Sequence, residues 1–342
     1  KETEIIANLS SAIISKKHYT QRPVDEKLSA ELFDEYFKTL DPQKMFFTQE
    51  DIDKFAPVRE KLGTELSTGK TTFAFNVFNL YVDRLKLYQS VCKDAIDKGF
   101  DFTKNENLEL NRSKANWLPN VDALKELWRK KTKNEILVLM LIDKAKKDEE
   151  AGNKKDAASQ DSSSAVIKLP ESPSWNSALS PEDKVKKRID QFVQAYQKFE
   201  PIDVLELFLS SFAHIYDPHS DYMKPSSDED FNISMKLSLV GIGALLSSDN
   251  GYTKIEKIIP GGPAEREGTL AAGDRIAAVA QEGADPVDII NMRLDKVVSL
   301  IRGKKGTKVT LTVLAGAKGI NAIPRQVSIT RDIVQLKESE AK

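Results

Sequence analysis

The chain has 342 residues, of which 40% are hydrophobic and 30% are charged, as in an ordinary globular protein with room for two or three domains. Its formal net charge of −1 gives no electrostatic case for a nucleic-acid or anionic-membrane partner. No apolar run approaches the ~20 residues that span a bilayer, which predicts no transmembrane segment. A single cysteine, Cys92, cannot form an internal disulfide.

Apolar side chains recur at helical spacing through most of residues 1–144, which predicts a helical N-terminal domain. Its first helix carries Ile6, Leu9 and Ile13. Its other main helices are predicted over 28–40, 73–92 and 124–141.

Three features within this domain have a structural interpretation. Thr48-Gln-Glu-Asp51 is a capping pattern for the start of a helix. The aromatic side chains of residues 73–92 are predicted to belong to a packed core rather than to a ligand site. The basic run Arg129–Lys133 is predicted to be a solvated helix face.

A change of composition separates this domain from the rest of the chain. Residues 145–180 are rich in Lys, Asp, Glu, Ala, Gly and Ser, which predicts a flexible linker. Two helices, capped by Ser180 and starting at Pro201, then form a predicted helical connector over 181–232. The connector contains the segment Asp217-Pro-His-Ser220.

The stretch Leu237–Leu246 contains Gly241 and Gly243 on either side of one apolar residue, followed by an apolar run typical of a strand. Glycines at this spacing allow backbone amides to turn together toward an anion without obstruction by a Cβ atom. Such a loop can hold the carboxylate of a peptide C-terminus while the next strand pairs with the peptide backbone. The alternative for so short a motif is a tight turn before a strand.

The following segments alternate between strand and helix patterns. A helix is predicted over 288–302, with Leu294, Val298 and Ile301 on one face and Gly303 at its end. Strands are predicted over 252–259, 270–279, 308–313 and 326–330.

Residues 233–332 resemble a PDZ domain through Pro260-Gly-Gly-Pro263 and the later Gly-Asp-Arg-Ile segment that starts at Gly273. The glycine loop precedes the other strands, which is the circularly permuted order of bacterial protease PDZ domains. The expected fold class is therefore α+β, with a mainly helical N-terminal region followed by a permuted PDZ domain.

The PDZ resemblance implies a groove for a peptide C-terminus. It places the peptide carboxylate on the amides of Val240, Gly241, Ile242 and Gly243. Val240 departs from the family, in which an acidic residue often precedes the first glycine. The implied pocket for the last side chain is formed by Ile242, Ala244, Leu246, Leu294, Val298 and Ile301.

Asp217-Pro-His-Ser220, with Tyr222 and Pro225, resembles a signature that precedes the PDZ domain in C-terminal processing proteases. The helical N-terminal region is similar to that of their periplasmic branch, the tail-specific proteases. The resemblance implies a periplasmic serine endopeptidase with a serine nucleophile and a lysine base, both C-terminal to the PDZ domain. Residues 333–342 are expected to begin the protease core, so the dyad is expected beyond Lys342 and the chain alone should be inactive.

A substitute catalytic centre within the chain is not predicted. Ser67 and Lys70 have Ser-x-x-Lys spacing, and Ser162–Ser164 precede Lys168, but neither pair has the accompanying motifs of a catalytic site. The three histidines, His18, His214 and His219, have no ligand pattern around them, and His219 is predicted to be structural. No metal and no cofactor are expected.

Two other functions remain open at this point. The chain could be a non-catalytic adaptor that binds peptide tails or a partner lipoprotein, or a helical scaffold whose groove is idle. The expected partners of the protease are the C-terminal tails of protein substrates, with a lipoprotein adaptor as a further candidate. Residue 1 is Lys rather than Met, which indicates a processed or trimmed start, so the lack of a signal peptide does not define the compartment.

Overall fold

The computed structural model describes residues 1–152, 179–249, 251–290, 292–316 and 324–335. The chain divides into two compact units, Lys1–Tyr222 and Met223–Lys342. The first unit is helical and the second combines a sheet with helices, so the predicted α+β class is confirmed. None of the described helices is long and apolar enough to cross a membrane.

The first unit, here called the helical unit, contains eight α-helices and one 3-10 helix within the described residues. Caps predicted from the sequence are present: Thr48 and Asp51 form a capping box, and the Ser180 hydroxyl accepts a hydrogen bond from the Asp183 amide. The bounds are α1 Glu2–Lys17, α2 Glu26–Leu40, α3 Gln49–Phe55, the 3-10 helix Ala56–Lys61, α4 Leu62–Ser67, α5 Thr72–Lys98, α6 Val121–Gly152, α7 Pro181–Gln197 and α8 Pro201–Tyr216.

The core of the helical unit is strongly aromatic, as predicted. Trp128 is fully buried, and its indole Nε1 donates a hydrogen bond to the Met45 carbonyl at 2.6 Å. Tyr36 is also buried, and its hydroxyl donates to the Ala74 carbonyl at 3.0 Å. Both rings therefore contribute apolar area without leaving their polar atoms unsatisfied.

The segments predicted as linker and connector divide differently in the structure. Helix α6 continues to Gly152, past the predicted linker start at 145, and residues 153–178 lie outside the described residues. Helices α7 and α8 contribute buried side chains, among them Val185 and Phe208, to the same core as the opening helices. The region 181–222 is thus part of the helical unit rather than a separate connector.

The basic run Arg129–Lys133 is not the solvated face that its composition predicts. Lys133 is buried, and its ammonium binds the Glu106 carboxylate at 2.6 Å. Arg129 binds the same carboxylate, and hydrogen bonds from Arg129 and Lys133 lower the pKa of Glu106 to about 2. These contacts hold the irregular segment 99–120 against α6.

The turn after α2 is organised by one buried carboxylate. Asp41 accepts hydrogen bonds from the amides of Met45, Phe46 and Phe47 at 2.8, 2.7 and 3.0 Å. Burial raises the pKa of the Asp41 carboxyl, and the three amides act in the opposite direction. The turn therefore brings Phe46 and Phe47 into the core with their backbone amides satisfied.

The second unit, here called the sheet unit, begins with α9, Pro225–Lys236. The remaining bounds are β1 Ser238–Gly241, β2 Ala244–Asp249, β3 Tyr252–Ile258, α10 Pro263–Glu267, β4 Arg275–Gln281, β5 Val287–Asp288, α11 Leu294–Ile301, β6 Lys308–Leu314, β7 Arg325–Thr330 and β8 Asp332–Gln335. The main sheet of this unit has the order β2-β3-β4-β6-β7, with β5 paired to β4, and all pairs are antiparallel.

One helix of the sheet unit differs from the sequence prediction. The helix predicted over 288–302 begins only at Leu294, and Val287 and Asp288 instead pair with β4. Of the residues predicted to begin a protease core, 333–335 belong to β8, which pairs with β1 in the register Val240–Ile333 and Gly241–Asp332. Their assignment to a protease core stays a prediction. Residues 336–342 lie outside the described residues.

We expect Asp41→Ala to destabilise the helical unit by about 3 kcal/mol or more, because it leaves three buried amides without an acceptor. Chemical denaturation followed by circular dichroism measures this loss. Asp122→Ala is the control, since that carboxylate is largely exposed and contacts Lys125 at the surface. Equal stabilities for the two variants would contradict the role assigned to Asp41.

Candidate functional site

An edge strand with a helix beside it is the most open feature of the sheet unit. Among the described strands, β2 pairs only with β3, so its other edge is unpaired. Helix α11 packs against β2 and β4. Along β2, Ala244 and Leu246 pack on the core whereas Leu245 is 57% exposed. An unpaired edge of this kind can accept an extended peptide as an additional strand.

The loop that leads into β2 has its carbonyls and amides in different environments. The Ile242 carbonyl accepts a hydrogen bond from the Ala264 amide at 2.7 Å, and the Gly243 carbonyl accepts one from the Ile259 amide at 2.8 Å. Within the residues that the structure describes, the amides of Ile242 and Gly243 donate no hydrogen bond. Two adjacent free amides can bind an anionic group.

The backbone conformation of Gly243 explains why glycine is required there. Its φ is +78°, in the left-handed region that side chains disfavour. A Cβ atom at this position would also lie 3.0 Å from Cα of Gly262 and 3.3 Å from Cδ of Pro263. Both the backbone conformation and the close approach therefore disfavour a side chain at Gly243.

The four residues predicted to bind a carboxylate fall into two pairs. Val240 and Gly241 belong to β1 and lie opposite Ile333 and Asp332 of β8. Ile242 and Gly243 form the loop between β1 and β2. The free amides identified here are those of the second pair, and the carboxylate-binding role of all four residues stays a prediction.

The six residues predicted to form the side-chain pocket also separate by burial. Ile242 and Ile301 are buried in the core of the sheet unit, whereas the other four are only partly buried. On α11, Ile301 is buried together with Val297, whereas Leu294 and Val298 are partly exposed, and the pocket role of the six residues stays a prediction. The partly buried candidates are Ala244 and Leu246 on β2 and Leu294 and Val298 on α11.

Arg302 is a further candidate residue that the sequence analysis did not single out. It follows the last residue of α11, and its Cγ lies 4.0 Å from the position a Cβ would take on Gly241. Its Nη1 binds the Asp230 carboxylate of α9 at 2.7 Å. A cation close to the glycine loop can add a charge-assisted hydrogen bond to an anion that binds there. The sequence signal that could have identified it is an arginine at the end of the helix predicted to line the groove.

The alternative catalytic and metal sites are not supported by their surroundings. The Ser67 hydroxyl donates to the Gly63 carbonyl, and the exposed Lys70 ammonium binds Glu65 at 2.6 Å, so this lysine is a charged surface group rather than a base. Ser162–Ser164 and Lys168 lie outside the described residues. In the described part of the chain no cluster of His, Cys, Asp or Glu is placed to hold a metal ion.

The Asp217–Ser220 segment forms a turn whose partner lies far away in the sequence. The Ser220 amide donates to the Asp217 carbonyl at 3.0 Å, and the Ser220 hydroxyl lies 3.2 Å from Nε2 of His18. His219 is exposed, and its amide donates to the Asp217 carboxylate at 3.3 Å. The imidazole that holds the turn is therefore that of His18 and not that of His219.

A glycine loop with free amides, an unpaired edge strand and a flanking helix form the geometry of the PDZ class of domains. A PDZ domain model matches residues 231–314, and a model described as the tail specific protease N-terminal domain matches residues 10–226. The second match covers more than half of the chain, so the chain belongs to the tail-specific protease family.

Several known proteins are similar to this chain. The tail-specific protease of Haemophilus influenzae is 29% identical over 347 residues, which cover 100% of this chain and 44% of that protein. A probable CtpA-like serine protease of Staphylococcus epidermidis is 32% identical over 36% of this chain and 23% of its own length. A solved PDZ domain of a carboxy-terminal protease from Vibrio cholerae, in complex with peptide, is 49% identical over 29% of this chain and 100% of that chain, with a TM-score of 0.28. The chain thus spans less than half the length of its Haemophilus relative.

Gly243→Ala tests the close approach in the loop, with Gly283→Ala as a matched control. Both glycines have a φ of 77–78°, but a Cβ at Gly283 would meet nothing within 4 Å. Each substitution should lower the free energy of unfolding by about 1–2 kcal/mol, because alanine disfavours the left-handed backbone conformation. Gly243→Ala should lower the free energy of unfolding by about 1–3 kcal/mol more, because its Cβ atom overpacks against Gly262 and Pro263. Urea denaturation measures the difference in stability. Equal losses of stability in the two variants would show that Gly262 moves away from the new Cβ atom without a cost in free energy.

Proposed function

We propose that this chain is the substrate-recognising part of a tail-specific serine endopeptidase, and that its sheet unit binds the C-termini of protein substrates. The order of the two family matches, helical domain first and PDZ domain second, supports this proposal. The alignment of the whole chain with part of the Haemophilus influenzae tail-specific protease supports it as well.

The observation that carries the proposal is the position of the two free amides, at Ile242 and Gly243, immediately before the unpaired edge of β2. A peptide C-terminus offers a carboxylate for the amides and an extended backbone for the strand edge. An internal peptide segment offers only the backbone. Free chain ends are therefore the ligands that this arrangement favours.

The pocket for the last side chain is proposed between the partly buried residues of β2 and α11. Ala244 and Leu246 form one wall, and Leu294 and Val298 form the other. Ile242 and Ile301 contribute to the core that supports both walls. An apolar pocket of this composition favours small or apolar C-terminal residues.

The chemical step is proposed to use a serine and a lysine C-terminal to the sheet unit, in keeping with the family resemblance. A lysine can act as a base only where burial keeps it neutral, and the exposed, ion-paired Lys70 does not meet that condition. We therefore expect the 342-residue chain to bind tails without cleaving them. The bacterial periplasm is the proposed compartment, and a lipoprotein adaptor remains a candidate partner.

A peptide with an apolar, free C-terminus should bind the chain with micromolar or weaker affinity, about −8 kcal/mol or less in magnitude. Amidation of the same peptide removes the charge that meets the loop amides and should cost about 1.5–3 kcal/mol. Isothermal titration calorimetry with the matched acid and amide peptides measures both values. Equal affinities for the two peptides would rule out carboxylate recognition by the loop.

Arg302→Gln should reduce the affinity for the acid peptide more than that for the amide peptide, because the arginine acts on the ligand through its charge. Asp230→Asn is the matched control: it removes the ion pair of Arg302 while leaving the cation in place. If Arg302→Gln lowers the affinity for both peptides equally, the arginine supports the structure of the loop and does not attract the carboxylate.

Val298→Glu should weaken binding of the acid peptide at least tenfold, or about 1.4 kcal/mol, with little change in melting temperature. The new carboxylate would fill the groove and repel the carboxylate of the ligand. Val297→Glu is the neighbouring control, and it should unfold the sheet unit because Val297 is fully buried. Wild-type affinity in a folded Val298→Glu variant would favour a scaffold with an idle groove.

A further inference from the structure

Helix α1 has apolar side chains on two faces, and within the described residues only one face is covered. Ala7 and Ser11 are buried, and α1 packs against α4 and α8. On the opposite face Ile5, Leu9 and Ile13 are 60%, 56% and 61% exposed. The helical spacing groups Leu9 and Ile13 with Ile6, and in the structure Leu9 and Ile13 point outward. An apolar row on a firmly packed helix marks an interaction surface.

The row continues into one charged residue at each end. Glu2, Ile5, Leu9, Ile13 and Lys16 are all exposed, and we call them the α1 stripe. At 100° per residue they fall within about 80° of arc around the helix. Ile5 and Ile13 are equidistant from Leu9 in the sequence, as are Glu2 and Lys16. Reversal of the stripe about Leu9 thus exchanges like apolar residues and opposite charges.

We infer that the α1 stripe is the interface between two copies of this chain, paired through antiparallel α1 helices about a two-fold axis at Leu9. Leu9 then meets Leu9 of the second copy, and each Ile5 meets Ile13 of the second copy. Each Glu2 faces Lys16 of the second copy, so opposite charges meet at both ends. The antiparallel arrangement also opposes the two helix dipoles, and a two-fold interface is self-complementary by construction.

The charges at the two ends of the α1 stripe indicate that its partner is a second copy of this chain. A surface that runs from acid through apolar residues to base is complementary to itself when it is turned around. Three exposed aliphatic side chains on each copy bury less than the roughly 1,200–2,000 Å² of a stable interface. The dimer is therefore weak and depends on concentration. The residues of the peptide groove belong to the other unit, so this pairing does not depend on the proposed function.

Sedimentation velocity of the 342-residue chain over a concentration series tests the pairing. The average mass should rise toward that of a dimer, and Leu9→Asp should raise the dissociation constant at least tenfold, because two carboxylates would meet on the axis. Leu110→Asp changes another exposed leucine of the helical unit, 78% exposed, and should leave the constant unchanged. A chain that stays monomeric throughout, or a Leu110→Asp variant that dissociates as readily as Leu9→Asp, overturns the proposal.

A charge exchange separates a second copy from any other partner. Glu2→Lys and Lys16→Glu should each weaken the dimer several-fold, and the double variant should restore wild-type association because each pair is again of opposite charge. Glu4→Lys makes the same charge change outside the stripe and should have little effect. A double variant that associates no better than either single variant would refute the antiparallel pairing.

Cysteine cross-linking locates the two-fold axis. Leu9→Cys should form a disulfide-linked dimer on mild oxidation, whereas Ile5→Cys should cross-link only when it is mixed with Ile13→Cys. The native Cys92 does not interfere, because it is buried and burial raises the pKa of its thiol to about 11. Cross-linking of Ile5→Cys by itself, with none at Leu9→Cys, would overturn the proposed register.

Discussion

The candidate peptide site depends on the close approach of two glycine backbones. Gly243 can lie against Gly262 because neither residue carries a side chain. This approach directs the carbonyls of Ile242 and Gly243 to the amides of the segment 259–264. With both carbonyls bonded there, the amides of the same two residues remain as free donors next to β2. One contact between backbones thus shapes the loop and also leaves its anion-binding groups available.

The helix beside the edge strand is held by a buried arginine at its C-terminal end. Nε of Arg331 donates to the Ile301 carbonyl at 2.8 Å, and Nη2 donates to the Leu300 carbonyl at 3.1 Å. Nη2 also donates to the Gln281 side chain of β4 at 2.7 Å. A buried guanidinium is tolerated because its planar donors are satisfied. Since Arg302 directly follows Ile301, the same contacts also set the position of the cation beside the glycine loop.

Local patterns in the sequence predicted most of the secondary structure and one detail of the site. The alternation around Tyr252–Ile258 and the capping box at Thr48 are determined by neighbouring residues, and both are confirmed. The conformation of Gly243 was also predictable, because a short motif constrains its own backbone. In contrast, the contact between His18 and Ser220 joins residues 202 positions apart, and no local pattern could show it.

The direction in which a helical face points is not contained in its spacing. The resemblance places Ile301 in the groove without fixing its exposure, and its burial depends on how α11 packs on the sheet. The basic run around Lys133 predicts a solvated side chain. That side chain is buried instead, because its ammonium forms an ion pair with the Glu106 carboxylate in a loop elsewhere in the sequence. Helix α1 carries apolar residues on both faces, so its sequence alone cannot say which face is internal. Only the packing of α4 and α8 on one face identifies the other, with Leu9 at its centre, as a surface available to a partner.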